Sequence, residues 1–289
     1  MGETNPRGLL PRANRRYSSR MRNGFFTVGA AVLLLAGCAE EPVEWGGILY
    51  RPSRLGDPDT RSAIMSANLV ETKPGLHTCI RSIRAAGDTL DLFRVWWSSR
   101  DDSSVVLSVQ RSKDRGQTWL APMVVDSSDR GRRGCDRPPP ATVFDPVTGY
   151  LYVVYFIEPP TGAGVFFSHS MDRADMFHAP VPVVYGTRPS AAGVAGRGDS
   201  VVVVYEDPNS TQSRVGYALS HTSGHIFEKR GQVTPDEEIA TAPWVYLKGN
   251  RITVSWKSGN LAAMTGAGGF GDKPVDASDR VGVRNGIWK

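Results

Sequence analysis

Arg81, Arg137 and Arg188 stand in the strings "CIRSI", "CDRPPP" and "TRPSAA". A guanidinium presents its donors as a flat fork, so three of them brought together would hold a carboxylate, sulfate or phosphate. Short polar stretches between them carry acids: Asp101 and Asp102 in "SSRDDSS", Glu158 in "FIEPP", and Glu206 with Asp207 in "YEDPN". A carboxyl group in such a turn is material for general acid–base chemistry. Tyr246 stands in "APWVYLKGN", with Glu237 and Glu238 upstream. The five histidines, His77, His169, His178, His221 and His225, show no metal-ligand pattern; His221 and His225 fall in a strand-turn segment rather than on one face of a helix. "GAGG" at 266–269 does not lead from a strand into a helix, so no phosphate-cradling loop is read there. No metal and no cofactor are expected.

The elements that must position these groups come from a repeat. Apolar runs after a glycine turn end on an aromatic residue in "GDTLDLFRVWW", "GYLYVVYF", "GDSVVVVYE" and "GNRITVSWK", and the aromatics Trp97, Tyr155, Tyr205 and Trp256 are spaced by about fifty residues. Beyond the first three stand Ser112, Ser170 and Ser220, opening the strings "SKDRGQTW", "SMDRADMF" and "SHTSGHIF". In the fourth unit only "GAGGF" (266–270) is left, while "VDSSDR" (125–130) is echoed by "VDASDR" (275–280). Short strands, Gly and Pro turns and this period without helical periodicity indicate an all-β propeller with one four-stranded antiparallel sheet per unit.

The intact string, Ser112, Asp114, Gly116, Thr118 and Trp119, resembles the Asp-box of sialidase-like (neuraminidase, BNR-repeat) propellers, over about residues 79–270. Its role there is structural: Asp114 is expected to accept turn amides, Gly116 to take a positive φ, and Trp119 to cover the sheet. The motif lies between third and fourth strands, so strand parity places it opposite the starts of the first strands. Residues 79–270 supply four blades, and "GGILY" (46–50), "AIMSANLVE" (63–71) and "RVGVRNGIWK" (280–289) are expected to close a fifth; the resemblance to six-bladed sialidases leaves six for a chain that is part of a longer one. Cys79 and Cys135 each stand two residues before an arginine, at matching points of neighbouring units, which favours a disulfide.

Residues 1–38 carry six arginines and one acid, an apolar run from Phe25 to Leu35, and "LAGC", which resembles a bacterial lipobox. A lipoprotein signal is expected, with Cys38 the lipidated first residue and residues 1–20 an over-extended start; Ala39 after it favours the outer membrane. Residues 39–45 are then a short linker and 46–289 a single propeller domain. Beyond residue 38 acids and bases balance, which gives no general attraction for nucleic acid. A monomer is expected.

By resemblance, an arginine triad holds a sugar carboxylate, an aspartate in the first blade acts as acid/base and a tyrosine as nucleophile. On this chain those positions correspond to Arg81, Arg137 and Arg188, to Asp101 or Asp102, and to Tyr246. The Phe/Tyr-Arg-Ile-Pro motif is not intact at any of the three arginines. Two functions follow: a lipid-anchored propeller that binds an anionic glycan or other envelope ligand, with Glu158 and Glu206 near its mouth, or an active exo-sialidase. An envelope interaction scaffold is the third.

Overall fold

The computed structural model describes residues 41–53, 74–259 and 280–289. Among them, four antiparallel sheets follow one another along the chain. The first holds β2 (Leu76–Thr78) and β3 (Arg84–Gly87), which share the innermost position on either side of a 3-10 turn at Ile80–Ser82, then β4 (Leu92–Arg100), β5 (Val105–Ser112) and β6 (Met123–Asp126). The second is β7 (Ala141–Asp145), β8 (Tyr150–Ile157), β9 (Gly164–Ser170) and β10 (Val181–Tyr185). The third is β11 (Ala192–Arg197), β12 (Ser200–Glu206), β13 (Val215–Ser220) and β14 (Lys229–Gln232).

The fourth sheet is built from both ends of the described chain. β15 (Ile239–Lys248) pairs with β16 (Arg251–Gly259), β16 with β17 (Arg280–Trp288), and β17 with β1 (Val43–Pro52). This corrects the expectation of a fifth blade from 46–50 and 280–289. The two ends do share a sheet, but Arg284 pairs with Val254 on one side and Ile48 on the other, so they complete the fourth unit. The reason is the open hydrogen-bonding edge of β16, which β17 satisfies and β1 then extends. "AIMSANLVE" and "GAGGF" lie outside the described residues.

Strand alternation sets the core. In β8 the residues Leu151, Val153, Tyr155 and Ile157 pack toward the first sheet, while Tyr152, Val154 and Phe156 pack toward the third. β12 repeats the pattern, with Val201, Val203 and Tyr205 against the second sheet and Val202 and Val204 against the fourth. Both faces of these strands are therefore buried, which is why they read as unbroken apolar runs rather than as alternating ones. Each such large side chain contributes about 1.5–3 kcal/mol by leaving water. The repeat aromatics Trp97, Tyr155, Tyr205 and Trp256 all lie in these inter-sheet cores. Three of their polar tips are hydrogen-bonded: the Trp97 indole donates to the Pro138 carbonyl at 3.1 Å, the Tyr155 hydroxyl to Asp126 at 2.8 Å and the Trp256 indole to Glu238 at 3.1 Å.

The third sheet is interlocked with the second at Gly224, where φ is +90° and a Cβ would sit 2.0 Å from the Phe167 ring. At Gly249 φ is +59° and the space around the missing Cβ is open. Gly224→Ala is accordingly expected to cost more than about 2 kcal/mol, and Gly249→Ala only the left-handed strain of roughly 1 kcal/mol. Urea unfolding of the two variants checks this, and equal losses would contradict the interlock.

Candidate functional site

The three box strings are turns joining third to fourth strands, at 112–119, 170–177 and 220–227. In the first, the Ser112 hydroxyl donates to Asp114 at 2.7 Å and accepts the Gly116 amide at 2.7 Å, while Asp114 accepts the amide and hydroxyl of Thr118. Thr118 and Ser112 hold the Asp114 carboxyl down at about 2, so it is a permanent acceptor. Arg115 and Gly116 both have positive φ, and Trp119 lies under the Arg94 guanidinium at 4.0 Å. The second turn keeps the network with Ala174 in place of glycine, its amide on Ser170 at 2.8 Å. In the third, Thr222 replaces the aspartate and still accepts the Ile226 amide at 3.0 Å. The sequence decays while the hydrogen bonds persist, which identifies the motif as architecture. The box face also carries a buried carboxylate, Asp91, bonded by Arg111 at 2.8 Å and by Arg173 of the second box. Burial would raise its pKa, but the two arginines outweigh burial and hold it below the usual range.

Strand parity puts the sequence-predicted site residues on the opposite, entry face, or along strands leading from it. Arg81 is exposed, in the middle of the 3-10 turn. Arg137 is buried and bound to Asp129 at 3.1 Å, with the side chains 0% and 1% exposed. Asp129 also accepts the amides of Val105 and Glu158, and so joins the first two sheets; the Arg137 Nη1 is left buried without a hydrogen bond. Arg188 is half-buried and donates to the Asp207 carbonyl. The three arginines thus have three different environments, and one of them is spent inside the protein.

The acids divide in the same way. Asp101 is exposed, 3.4 Å from His77. Asp102 caps its own turn by accepting the hydroxyl and amide of Ser104, which hold it below the usual range; a group ionised so readily is poorly suited to donate a proton. Glu158 receives Arg133 at 3.0 Å. Burial pushes the Glu206 carboxyl up, and its oxygens accept the amides of Ala242 at 2.8 Å and Ala191 at 3.4 Å. Glu206 is therefore a tie between the third and fourth sheets.

Tyr246 points from β15 on the side opposite Val245, whose side chain packs against the third sheet. It is 52% exposed beside Trp244, with ring centroids 6.4 Å apart and planes within 19°. Glu238, upstream in sequence, turns instead to Tyr50, whose hydroxyl donates to it at 2.7 Å. Glu238 also accepts the Trp256 indole at 3.1 Å and the Ser258 hydroxyl. Burial, then the Glu238 bond and charge, push the Tyr50 phenol up to about 12, so this pair pins β1 to the start of β15 rather than presenting an activated nucleophile. Sequence reasoning missed Tyr50 because its partner lies 188 residues away. Cys79 and Cys135 are joined, with Cα atoms 5.3 Å apart, linking the approaches to β3 and β7. Cys38 lies outside the described residues.

The histidines depart from the sequence reading. His169, His178 and His225 come together on the box face, each offering a ring nitrogen within 4.8 Å of the others. Two sheets contribute, so no local spacing reveals them. The available signal was that His169 and His178 flank the second box while His225 sits inside the third.

Removing one member of a buried ion pair strands the other, so Asp129→Ala is expected to cost about 3–5 kcal/mol. Asp101→Ala, at an exposed turn, should stay within roughly 0.5 kcal/mol. Chemical denaturation distinguishes the two, and a near-neutral Asp129→Ala would contradict the structural assignment of Arg137.

No family model matches the chain, and no curated protein matches it. Among solved structures it is similar to a neuraminidase-like protein of A/little yellow-shouldered bat/Guatemala, at 11% identity and a TM-score of 0.40, covering 75% of this chain and 56% of that one. A xylan beta-1,4-xylosidase from Bacillus halodurans is similar at 12% identity and a TM-score of 0.41, covering 64% of this chain and 37% of that one. NanB sialidase from Streptococcus pneumoniae is similar at 12% identity and a TM-score of 0.41, covering 71% and 30%. The chain spans little more than half of the first of these and less of the others. The four antiparallel sheets, each four strands deep with the innermost position of the first shared by β2 and β3, and the box turns between third and fourth strands of three of them, fit a sialidase-like β-propeller.

Proposed function

We propose that this propeller binds an acidic glycan, or another anionic envelope ligand, and does not cleave it. The observation that carries the reading is the fate of the hydrolytic set. Asp102 is a turn cap, and Tyr246 makes no hydrogen bond to an acid among the described residues. Arg137 is committed to Asp129. What remains available suits recognition: Arg81 is exposed as an anion donor, and Trp244 with Tyr246 offers two nearly parallel exposed rings on which the apolar face of a sugar can lie. We also propose that the chain is exported and held at the outer membrane by lipid on Cys38, acting as a monomer.

The purified full chain is expected to retain acidic glycans on an array and to release nothing above blank from a fluorogenic sialoside. Trp244→Ala should weaken glycan binding by about tenfold, equivalent to 1.4 kcal/mol. Arg81→Ala should erase the preference for acidic over neutral sugars. Turnover above blank, or binding indifferent to sugar charge, overturns the proposal. For the anchor, Cys38→Ala should move the protein from the membrane fraction to the soluble one; unchanged fractionation would reject lipidation at that residue.

A further inference from the structure

Every box turn is closed by a backbone bond between the residues flanking it. In the first sheet the Leu120 amide donates to the Arg111 carbonyl at 2.9 Å, and in the third the Glu228 amide donates to Leu219 at 3.1 Å. In the second sheet the equivalent bond, 2.9 Å, joins His178 to His169. The backbone therefore holds two imidazoles side by side, with ring centroids 4.4 Å apart. The third box then brings His225 across from the neighbouring sheet, its ring 4.7 Å from His169 and 5.0 Å from His178, and nearly perpendicular to both.

Two further observations point to a ligand. His169 is 1% exposed, and its Nε2 is buried without a hydrogen-bond partner. Leaving such a group unsatisfied costs about 1–3 kcal/mol, and a buried ring nitrogen beside two other imidazoles gains a partner if an ion binds there. In addition, His225 Nδ1 lies 2.6 Å from the Thr222 carbonyl. A carbonyl can only accept, so this nitrogen carries a proton, and in the neutral ring the lone pair is on Nε2. That is the arrangement by which a backbone carbonyl fixes the tautomer of a metal-binding histidine.

We propose that His169, His178 and His225 bind a divalent first-row transition ion of the zinc class, clipping the second and third box turns together. Three neutral imidazoles suit zinc, copper or nickel rather than calcium or magnesium, which take oxygen ligands. Tetrahedral zinc with bonds of about 2.0–2.1 Å sets its nitrogens roughly 3.4 Å apart, so the trio, now within 4.8 Å, must draw in. The planes of His169 and His178 lie within 4° of parallel, and a single ion cannot sit in both. The half-buried His178 is the ring placed to turn, and water would fill the fourth position.

The untagged full chain, stripped with a chelator, would be titrated with zinc chloride against a chromophoric competitor. One equivalent should bind, with a rise in melting temperature, and cobalt should give the intense visible bands of a tetrahedral site. His178→Ala and His225→Ala, at accessible positions, should each weaken zinc binding by at least about tenfold and abolish the thermal shift. His221→Ala should do neither. Absence of saturable zinc binding, binding unchanged in the His178→Ala/His225→Ala double variant, or octahedral cobalt bands would overturn the site. Should the variants fold poorly, the cobalt spectrum of the unaltered chain still decides.

Discussion

Burial of both faces of the middle strands is the constraint on which everything else in this molecule rests. A sheet whose two faces are apolar must be covered on both sides, and consecutive sheets cover one another. The three inter-sheet cores then fix the direction in which each innermost strand starts and each turn points. The third and second sheets are a clear example, since one strand's odd residues and the other's even residues fill the same core. The fourth sheet is bound by the same need, and it recruits both chain ends to finish its ladder.

Polar groups inside such a stack survive only when paired, and this determines the roles of the charged residues. Asp91 with Arg111 and Arg173, Asp129 with Arg137, and Glu206 with two amides each tie one sheet to the next. Their residue types are those of a catalytic site. Their partners make them fasteners. The same logic separates the two faces: the box face is dense with satisfied hydrogen bonds, whereas the entry face keeps Arg81 exposed and the inner strand of the fourth sheet leaves Trp244 and Tyr246 open.

The histidine trio belongs to the box face without belonging to the box network. His169 and His178 occupy positions where the other sheets place arginine, leucine and glutamate, and His225 one where the other boxes have Gln117 and Asp175, so the turn geometry does not require histidine there. Under the zinc-site proposal, an ordinary closure of the turn becomes a point of attachment between sheets. Recognition would then occupy one side of the molecule and stiffening the other, with the sheets between them.

The repeat was legible in the sequence because each unit must solve the same problem: an apolar strand ending on an aromatic, then a turn whose serine and aspartate satisfy its own amides. Those requirements are local, so the strands, the box turns and the matching places of Cys79 and Cys135 could be read from residue types and spacing alone. Tertiary structure decided which sheet the chain ends join, because an open strand edge accepts any partner of suitable length. It also decided which arginine is free, that Glu238 serves Tyr50 rather than Tyr246, and that three histidines from two sheets meet. Each of these depends on residues far apart in the chain brought within a few ångströms by packing, and no local rule of spacing encodes that distance.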